Sequence, residues 1–277
     1  MDADLAVRVH ALRGGMPAYL DYADGQPPAD ARSFDDWVVR HLLNPSSAFF
    51  REGRLLVGEE QTLGDSALYF SVLAALSTGR IRRSEIAAAL GRADSTLAHL
   101  LTVLQDTHLV EARVDALRSR RTTYHIAEPM LRFHQLVIAP QEARLVRRHG
   151  MQVWTAAQPT VSSAIYGPHF EELCREWVRD HAAPQTVGGQ TESAHASALS
   201  SPTHRQQHEI DVVVRADGRV SAIGEAKWRH WPIGLDQLER LRHLRSTTVI
   251  DPHSRRQRRL RGLKNPRHGE LNFTLPS

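Results

Sequence analysis

Three residues in the stretch EIDVVVRADGRVSAIGEAKWRH have types and spacing that suit the hydrolysis of a phosphodiester. Asp211 stands before the apolar run VVV, and Glu225 and Lys227 follow two positions apart. Two carboxylates can hold Mg²⁺ or Mn²⁺ together with waters and phosphate oxygens, and a lysine supplies positive charge to the attacking water or the phosphate. The pattern predicts Asp211 and Glu225 as metal ligands and all three residues as catalytic. Because Glu and Lys two apart also occur on exposed strand faces, the spacing alone leaves a solvated pair open.

The turn between the two predicted strands decides whether Asp211 can join Glu225. The segments IDVVV and RVSAIGEAKW are typical of β-strands, and ADG lies between them. A two-residue turn at Asp217-Gly218 would face Asp211 away from Glu225. A three-residue turn that starts at Ala216, with Gly218 in the left-handed conformation, would put both carboxylates on one face. Only the second register makes a site, and we predict that register.

An amphipathic helix is predicted before these strands, in YGPHFEELCREWVRDHA. Its large apolar residues recur at the spacing of one buried face, so we expect it to pack on the sheet. The next segment, 184–208, is rich in Ser, Ala, Gly, Gln and His and has almost no large apolar residue. That composition is typical of a flexible loop. The residues of the predicted buried face are Phe170, Leu173, Cys174, Trp177 and Val178.

A winged helix-turn-helix is predicted at 63–128. Three helical patterns, SALYFSVLAALSTG, RRSEIAAALG and DSTLAHLLTVLQDTHLV, precede two strand-like pieces, LVEAR and TTYHI, around a basic tip. Ser84 is expected to cap the second helix and Asp94 or Ser95 the third, while Gly79 and Gly91 mark helix exits.

The predicted winged helix suggests contacts to DNA. In such a motif the start of the third helix reads the major groove, and the wing contacts phosphates. Winged helices also serve as protein-interaction modules, and that alternative stays open. The residues expected to contact DNA are Ser95, Thr96 and His99 on the third helix and Arg113, Arg118, Arg120 and Arg121 on the wing.

Composition indicates an ordinary globular protein with clustered basic residues. The chain has 277 residues, of which 41% are hydrophobic and 24% charged, with a formal net charge of +4. Basic residues concentrate in ARVDALRSRRTTYH and SRRQRRLRGLKNPRH. The single cysteine, Cys174, excludes an internal disulfide and indicates a reducing compartment. No apolar run approaches a membrane span and the start has no signal-peptide pattern, so we expect a cytoplasmic protein without membrane contact.

The remaining segments complete an α+β organisation. We expect short helices at 1–62, broken at Gly14-Gly15, and connecting helices at 129–160. The nuclease-like sheet is assigned to 161–250 and a basic tail to 251–277.

The quoted motifs resemble two known groups. Asp211 with GEAKW resembles the PD-(D/E)XK nuclease-like superfamily, which implies an α/β restriction-endonuclease-like mixed sheet flanked by helices. In that resemblance the segment YGPHFEEL supplies a further catalytic carboxylate, Glu171, with Glu172 as the less favoured choice. The order GGMPAYL, NPSSAFF, winged helix, YHIAEPMLRFH, HFEELCREW and EIDVVV…GEAKWR resembles the C-terminal region of prokaryotic "archaeal ATPase" proteins of the AAA/STAND type. That resemblance implies a lid-like helical segment at the start and a P-loop ATPase partner.

Departures from these groups limit what is expected of this chain. No G-x-x-x-x-G-K-[ST] motif occurs in the sequence, so we expect neither an ATP site nor ATP hydrolysis here. The segment 184–208 is longer than usual for the nuclease-like group, and an arginine-rich tail stands where a closing strand and helix are expected. Two interpretations follow: a DNA-binding protein with a metal-dependent nuclease-like domain, or a non-catalytic regulatory remnant that binds a partner ATPase.

Overall fold

The computed structural model has an α+β architecture, as predicted, in two compact units. It describes residues 1–20, 26–58, 66–118, 120–200, 207–228, 239–242, 263–264 and 269–274. The first unit comprises Met1–Arg113 and Thr123–Tyr166, and the second comprises Val114–Thr122 and Gly167–Ser277.

The first unit begins with short helices, and the first helix ends at the predicted Gly14-Gly15 pair. Helix α1 (Ala3–Arg13) ends at Gly14, whose φ of 83° favours glycine. Helices α2 (Phe34–Trp37) and α3 (Ala48–Gly58) follow. Further along the chain the connecting segment is helical, as expected. It contains α7 (Pro129–Phe133), α8 (Ala139–Val146) and α9 (Gly150–Thr160), with π-helical turns at Val38–Leu42, His134–Ile138 and Val161–Tyr166.

Gly53 of α3 permits a close approach to the buried ring of His134. A Cβ added at Gly53 would lie under 3.0 Å from the Cγ and Cβ atoms of His134, which sit at the root of that side chain. We therefore expect Gly53→Ala to destabilise the first unit by about 1–3 kcal/mol, although alanine by itself favours a helix by about 1 kcal/mol. Urea denaturation followed by circular dichroism measures this change.

Gly58 offers the matched control for that substitution. It belongs to the same helix, and an added Cβ there would meet no atom of the described residues within 4 Å. Gly58→Ala should leave the unfolding midpoint unchanged or raise it. Equal midpoints for Gly53→Ala and the wild type would contradict the proposed close packing on His134.

The winged helix is present with the predicted order of elements. Helices α4 (Ser66–Ser77), α5 (Arg83–Leu90) and α6 (Asp94–Asp106) precede the hairpin of β1 (Val110–Val114) and β2 (Thr122–Ile126). Their apolar faces form one core. That core includes Tyr69, Val72, Leu73, Ile86, Leu97, Leu101, Leu104, Val110 and Ile126.

The caps of these helices differ from the prediction at their starts and agree at both exits, since Gly79 follows α4 in a positive-φ conformation with a φ of 86°. Helix α5 is capped by Arg82, not Ser84, because the Glu85 carboxylate accepts the Arg82 backbone N–H at 3.1 Å. Helix α6 follows Ala93, so neither Asp94 nor Ser95 is its cap. Gly91 ends α5 in the left-handed conformation, as predicted, with a φ of 60°.

The second unit contains a five-stranded sheet in the order β3-β4-β5-β7-β6. All pairings among its described strands are antiparallel, and the described residues contain no parallel pair of the expected mixed sheet. The strands are β3 (Thr191–Ser200), β4 (Gln207–Ala216), β5 (Arg219–Trp228), β6 (Leu263–Lys264) and β7 (Gly269–Thr274).

Two segments that we expected to be irregular contribute strands to this sheet. Within the predicted loop 184–208, residues 184–187 form α11 (Pro184–Val187) and residues 191–200 form β3, while 201–206 lie outside the described residues. The small side chains of β3 can be buried where little space is available, and Ala194 and Ala198 are buried. Within the predicted basic tail, β7 pairs with β5, and the rest of 251–277 apart from β6 lies outside the described residues.

Helix α10 (Gly167–Asp180) packs on one face of this sheet, as its amphipathic pattern predicts. Cys174 and Val178 contact a core that includes Val212, Val214 and Ala222, with Phe170 and Trp177 at its edge. Burial raises the pKa of the Cys174 thiol to about 12, which fits its role as a small apolar residue.

Candidate functional site

The hairpin of β4 and β5 reaches the predicted arrangement by a different route. Ala216 pairs with Arg219, so the turn has two residues, Asp217 and Gly218, and the predicted three-residue turn is wrong. Their φ values of 53° and 71° are those of a type I′ turn. The prediction of a left-handed Gly218 is confirmed.

A β-bulge restores the shared face that the short turn would have lost, in a register different from the predicted one. Arg215 pairs with Val220, but Val214 pairs with Ala222, so β5 carries one extra residue, Ser221. The pairing then continues to Val212 and Gly224. The next residue on β4 is Asp211 and the next on β5 is Glu225, so the bulge brings the two carboxylates level.

Asp211 lies at the point where the β4–β5 pairing ends. Its carboxylate Oδ2 accepts the backbone N–H of Ala226 at 2.9 Å and lies 3.2 Å from Lys227 Nζ. The residue is 7% exposed. The side chain thus replaces a backbone acceptor at the end of the ladder and is held in one orientation.

Glu225 is more deeply buried and is engaged on one side only. At 1% exposure, its Oε1 lies 2.9 Å from Lys227 Nζ and 2.8 Å from Arg240 Nη1. Its Oε2 is buried and has no hydrogen-bond partner among the described residues. A buried carboxylate oxygen without a partner is costly, and cation binding is one way to offset that cost.

Lys227 joins the two carboxylates. Burial lowers the pKa of its amine, but attraction to Asp211 and the contacts with Glu225 outweigh burial, so the pKa is raised overall. The amine therefore stays charged near neutral pH. Its side chain is 36% exposed, so one side of the cluster is open to solvent.

Glu171 of α10 belongs to the same electrostatic cluster. Burial first, and repulsion from Asp211 second, raise the pKa of Glu171 to about 7. The less favoured Glu172 is instead paired with Arg175, whose Nη2 lies 2.8 Å from Glu172 Oε2. Arg175 also donates from Nη1 to the backbone carbonyl of Asp211 at 2.8 Å, which fixes α10 against β4.

The oxygen atoms of these residues are of the type that a hard cation prefers, but their positions do not form a complete ligand set. Asp211, Glu225 and Glu171 supply the oxygen ligands that Mg²⁺ and Mn²⁺ prefer. Glu225 Oε2 has no hydrogen-bond partner among the described residues. In the described part of the chain, however, no three His, Cys, Asp or Glu side chains converge as a ready ligand set. Lys227 Nζ lies between the two strand carboxylates, so a cation there would displace it.

The predicted recognition residues lie on an accessible part of the first unit. Ser95, Thr96 and His99 are all exposed at the start of α6. Beside them, Arg83 forms a two-point pair with Asp94, with Nε–Oδ1 at 2.9 Å and Nη2–Oδ2 at 2.5 Å. Both partners are nearly half exposed, so this pair contributes little to stability.

The predicted wing arginines differ in what they contact. Arg113, at the base of the hairpin, pairs with Glu111. Arg121 lies 3.9 Å from the buried carboxylate of Asp115. Arg118 and Arg120 are exposed at the tip. The tip is therefore the part of the wing whose charge is most available to a polyanion.

Asp115 fixes this tip within the second unit. Its carboxylate accepts from Ser197 Oγ at 2.6 Å and from the backbone N–H of Leu117 at 3.0 Å and of Arg118 at 3.1 Å. The backbone N–H of Ala116 donates to the carbonyl of Ala196 in β3 at 3.1 Å. The wing tip is thus hydrogen-bonded to the edge strand of the sheet.

The sequence did not identify three residues with clear structural roles here. Arg175 and Arg240 contact the carboxylate cluster, and Asp115 organises the wing tip. The arginines carried no signal, since their contacts depend on tertiary structure. Asp115 could have been found, because Asp followed by a short loop is a typical side-chain-to-backbone turn.

Comparison with known proteins finds similarity to solved structures over part of the chain. No protein-family model and no curated protein matches this chain. Solved structures of S. aureus MepR are similar over part of it. A MepR mutant has 19% identity and a TM-score of 0.26 over 41% of this chain and 90% of that chain. The MepR–DNA complex has 19% identity and a TM-score of 0.26 over 41% and 89%. MepR bound to ethidium bromide has 21% identity and a TM-score of 0.25 over 41% and 89%. Values this low do not establish a common fold.

Among the described helices, none has the length and apolar character that crossing a membrane requires.

Proposed function

We propose that this chain binds DNA and hydrolyses phosphodiester bonds with a divalent cation at Asp211, Glu225 and Glu171. The observation that carries the proposal is the state of Glu225. This carboxylate is almost fully buried, and one of its two oxygens has no partner among the described residues, beside a second buried carboxylate. Such an oxygen is available as a ligand for a hard cation.

Binding of DNA is proposed from the winged helix. The start of α6 exposes Ser95, Thr96 and His99, and this is the part of a winged helix that enters the major groove. The exposed Arg118 and Arg120 suit phosphate contacts, which position a protein without reading sequence. The base of the hairpin is less suited, because Arg113 already pairs with Glu111.

The chain's own residues would divide the chemical work. A bound Mg²⁺ or Mn²⁺ supplies Lewis acidity and a more acidic water. Asp211 and Glu225 would bind it, and Glu171, held on α10 close to Asp211, would add a third oxygen. Lys227, once released from the two carboxylates, would place its positive charge beside the attacked phosphate.

A functional link to a P-loop ATPase is proposed from the sequence resemblance alone. The motifs from GGMPAYL to GEAKWR have the order found in the C-terminal region of the archaeal ATPase group. A P-loop ATPase would then be the partner of the residues described here. A P-loop coding sequence next to this gene would support the link.

The charge balance of the cluster favours a second candidate, a non-catalytic module. Two strand carboxylates face two cations, Lys227 and Arg240, which neutralise their charge without a metal. In that case the protein would bind DNA or a partner ATPase and use the cluster only for stability.

Cleavage assays with different metals test the proposed function. We expect the purified chain to nick supercoiled plasmid with Mg²⁺ or Mn²⁺ and to bind without turnover with Ca²⁺, whose looser oxygen shell activates the attacking water poorly. Asp211→Asn should abolish cleavage, because an amide is a poor ligand for the cation. The fold should be kept, since the amide oxygen can still accept the backbone N–H of Ala226. Cleavage by Asp211→Asn at the wild-type rate would identify a contaminating nuclease and contradict the proposal.

A further inference from the structure

Arg240 pairs directly with Glu225 of the carboxylate cluster, and neither the sequence motif nor the proposed chemistry uses it. It lies on a helical segment, 239–242, whose Leu241 is fully buried in a core with Ile210, Val213 and Ile223. That anchor places the guanidinium over Glu225, with Nη1 at 2.8 Å from Oε1. Its Nη2 also lies 3.4 Å from the backbone carbonyl of Glu209.

Arg240 changes the charge that an arriving metal ion meets. Without it, Asp211 and Glu225 would be opposed by Lys227 alone. With it, the two strand carboxylates, without Glu171 of α10, are matched by two cations, each within 3.2 Å of an opposite charge. A divalent cation gains most from a site with net negative charge, so the matched cluster binds it weakly. Metal binding therefore requires that one cation move away.

Arg240 is the cation better placed to leave. Lys227 contacts both carboxylates, whereas Arg240 contacts one carboxylate and, at longer range, one backbone carbonyl. The Arg240 side chain is 36% exposed, so it can turn towards solvent without unpacking Leu241. A guanidinium also matches the two oxygens of a phosphate, which gives it an alternative partner when DNA is present.

We propose that Arg240 couples DNA binding to metal binding by exchanging Glu225 for a backbone phosphate. Without DNA, Arg240 neutralises Glu225 and keeps the metal affinity low. With DNA, Arg240 pairs with a phosphate next to the cluster, and the negative charge of Glu225 is then no longer neutralised and attracts the cation to its unpaired Oε2. The coupling is reciprocal, so the metal must also strengthen DNA binding by the same factor. This inference rests on the proposed function and adds to it a substrate-contacting residue.

The test uses Ca²⁺, which binds without turnover, and a duplex oligonucleotide with a fluorescent label. Calorimetry gives the Ca²⁺ affinity of the protein alone, and fluorescence anisotropy gives the DNA affinity with and without Ca²⁺ at constant ionic strength. For the wild type we expect weak Ca²⁺ binding alone and about tenfold tighter DNA binding with Ca²⁺. For Arg240→Gln we expect about tenfold tighter Ca²⁺ binding alone and less than about twofold coupling.

Two control variants separate charge at this position from other effects. Arg179→Gln removes the same charge from an exposed position of α10, where Arg179 pairs with the neighbouring Asp180, and it should behave as the wild type. Arg240→Lys keeps the charge and should retain the weak Ca²⁺ binding of the wild type. That result would assign the low Ca²⁺ affinity to the charge at this position and not to the packing of the arginine.

The possible outcomes distinguish this inference from the proposed function. If Arg240→Gln binds Ca²⁺ no more tightly than a wild type that does bind it, or keeps the full coupling to DNA, the role of Arg240 is refuted while the metal site stands. If neither the wild type nor Arg240→Gln binds Ca²⁺ with or without DNA, the metal site itself is refuted, and the inference with it.

Discussion

Replacing Lys227 by alanine should reduce metal-dependent DNA cleavage by about 10²–10³-fold, the effect of removing one charge that stabilises a transition state. The lysine is the only residue in the described part of the chain that contacts both Asp211 and Glu225. Its loss leaves the carboxylates in place and removes a competing cation, so metal affinity should be kept or increased. Rates from single-turnover cleavage and affinities from calorimetry measure the two effects separately.

A matched charge change controls for folding and for long-range electrostatics. Arg179→Ala removes one positive charge from an exposed position of the same unit and should cleave at the wild-type rate. If Lys227→Ala lost metal binding together with cleavage, the lysine would be holding the site together, and its assignment as a catalytic residue would be wrong.

Replacing Arg118, Arg120 and Arg121 together by alanine should weaken DNA binding similarly on all sequences. Each lost phosphate contact lowers the slope of log affinity against log salt by about 0.9 on duplex DNA. Arg118 and Arg120 are exposed, whereas Arg121 is near Asp115, so we expect a decrease of about 2 in this slope. Fluorescence anisotropy over a series of salt concentrations gives that slope.

A second triple variant tests whether position or net charge matters. Arg144, Arg147 and Arg148 are exposed around the end of α8, and their replacement by alanine removes the same total charge. This variant should keep the wild-type salt slope to within about one phosphate contact. If both triple variants lost DNA affinity equally, DNA binding would depend on net charge and not on position. If the wing variant kept the wild-type affinity, the winged helix would be assigned to protein interaction.

The candidate residues could be predicted from the sequence, but the reason they meet could not. Spacing identified Asp211, Glu225 and Lys227, and simple hairpin geometry then required a three-residue turn. The structure uses a two-residue turn and a bulge at Ser221 instead. Because a bulge depends on how strands pack against their neighbours, local sequence does not reveal it.

Composition misled the prediction for the segment that became β3. Ser, Ala and His are weak strand formers, and we expected a loop. The strand forms because its backbone pairs with β4 from Thr191 to Ser200, and because Ala194 and Ala198 need little volume to be buried. Tertiary pairing thus overrides propensity at this edge of the sheet.

The surroundings of the site depend on contacts across long sequence distances. Arg175 reaches the carbonyl of Asp211 from α10, and Arg240 reaches Glu225 from a segment beyond β5. Neither arginine stands at a motif spacing, and both look like ordinary helix residues in the sequence. Glu171 over Glu172 was the favoured choice from the resemblance, and the structure places Glu171 in the field of Asp211 while Glu172 pairs with Arg175.

Anomalous diffraction from crystals of the protein grown with duplex DNA and Mn²⁺ locates the metal directly. We expect an anomalous peak at bonding distance from Glu225 Oε2 and the Asp211 carboxylate, with Lys227 Nζ displaced from between them. Crystals of Glu225→Gln grown in the same way should lack this peak. A wild-type crystal with ordered DNA, saturating Mn²⁺ and no peak at these two carboxylates would refute a metal site at Asp211 and Glu225.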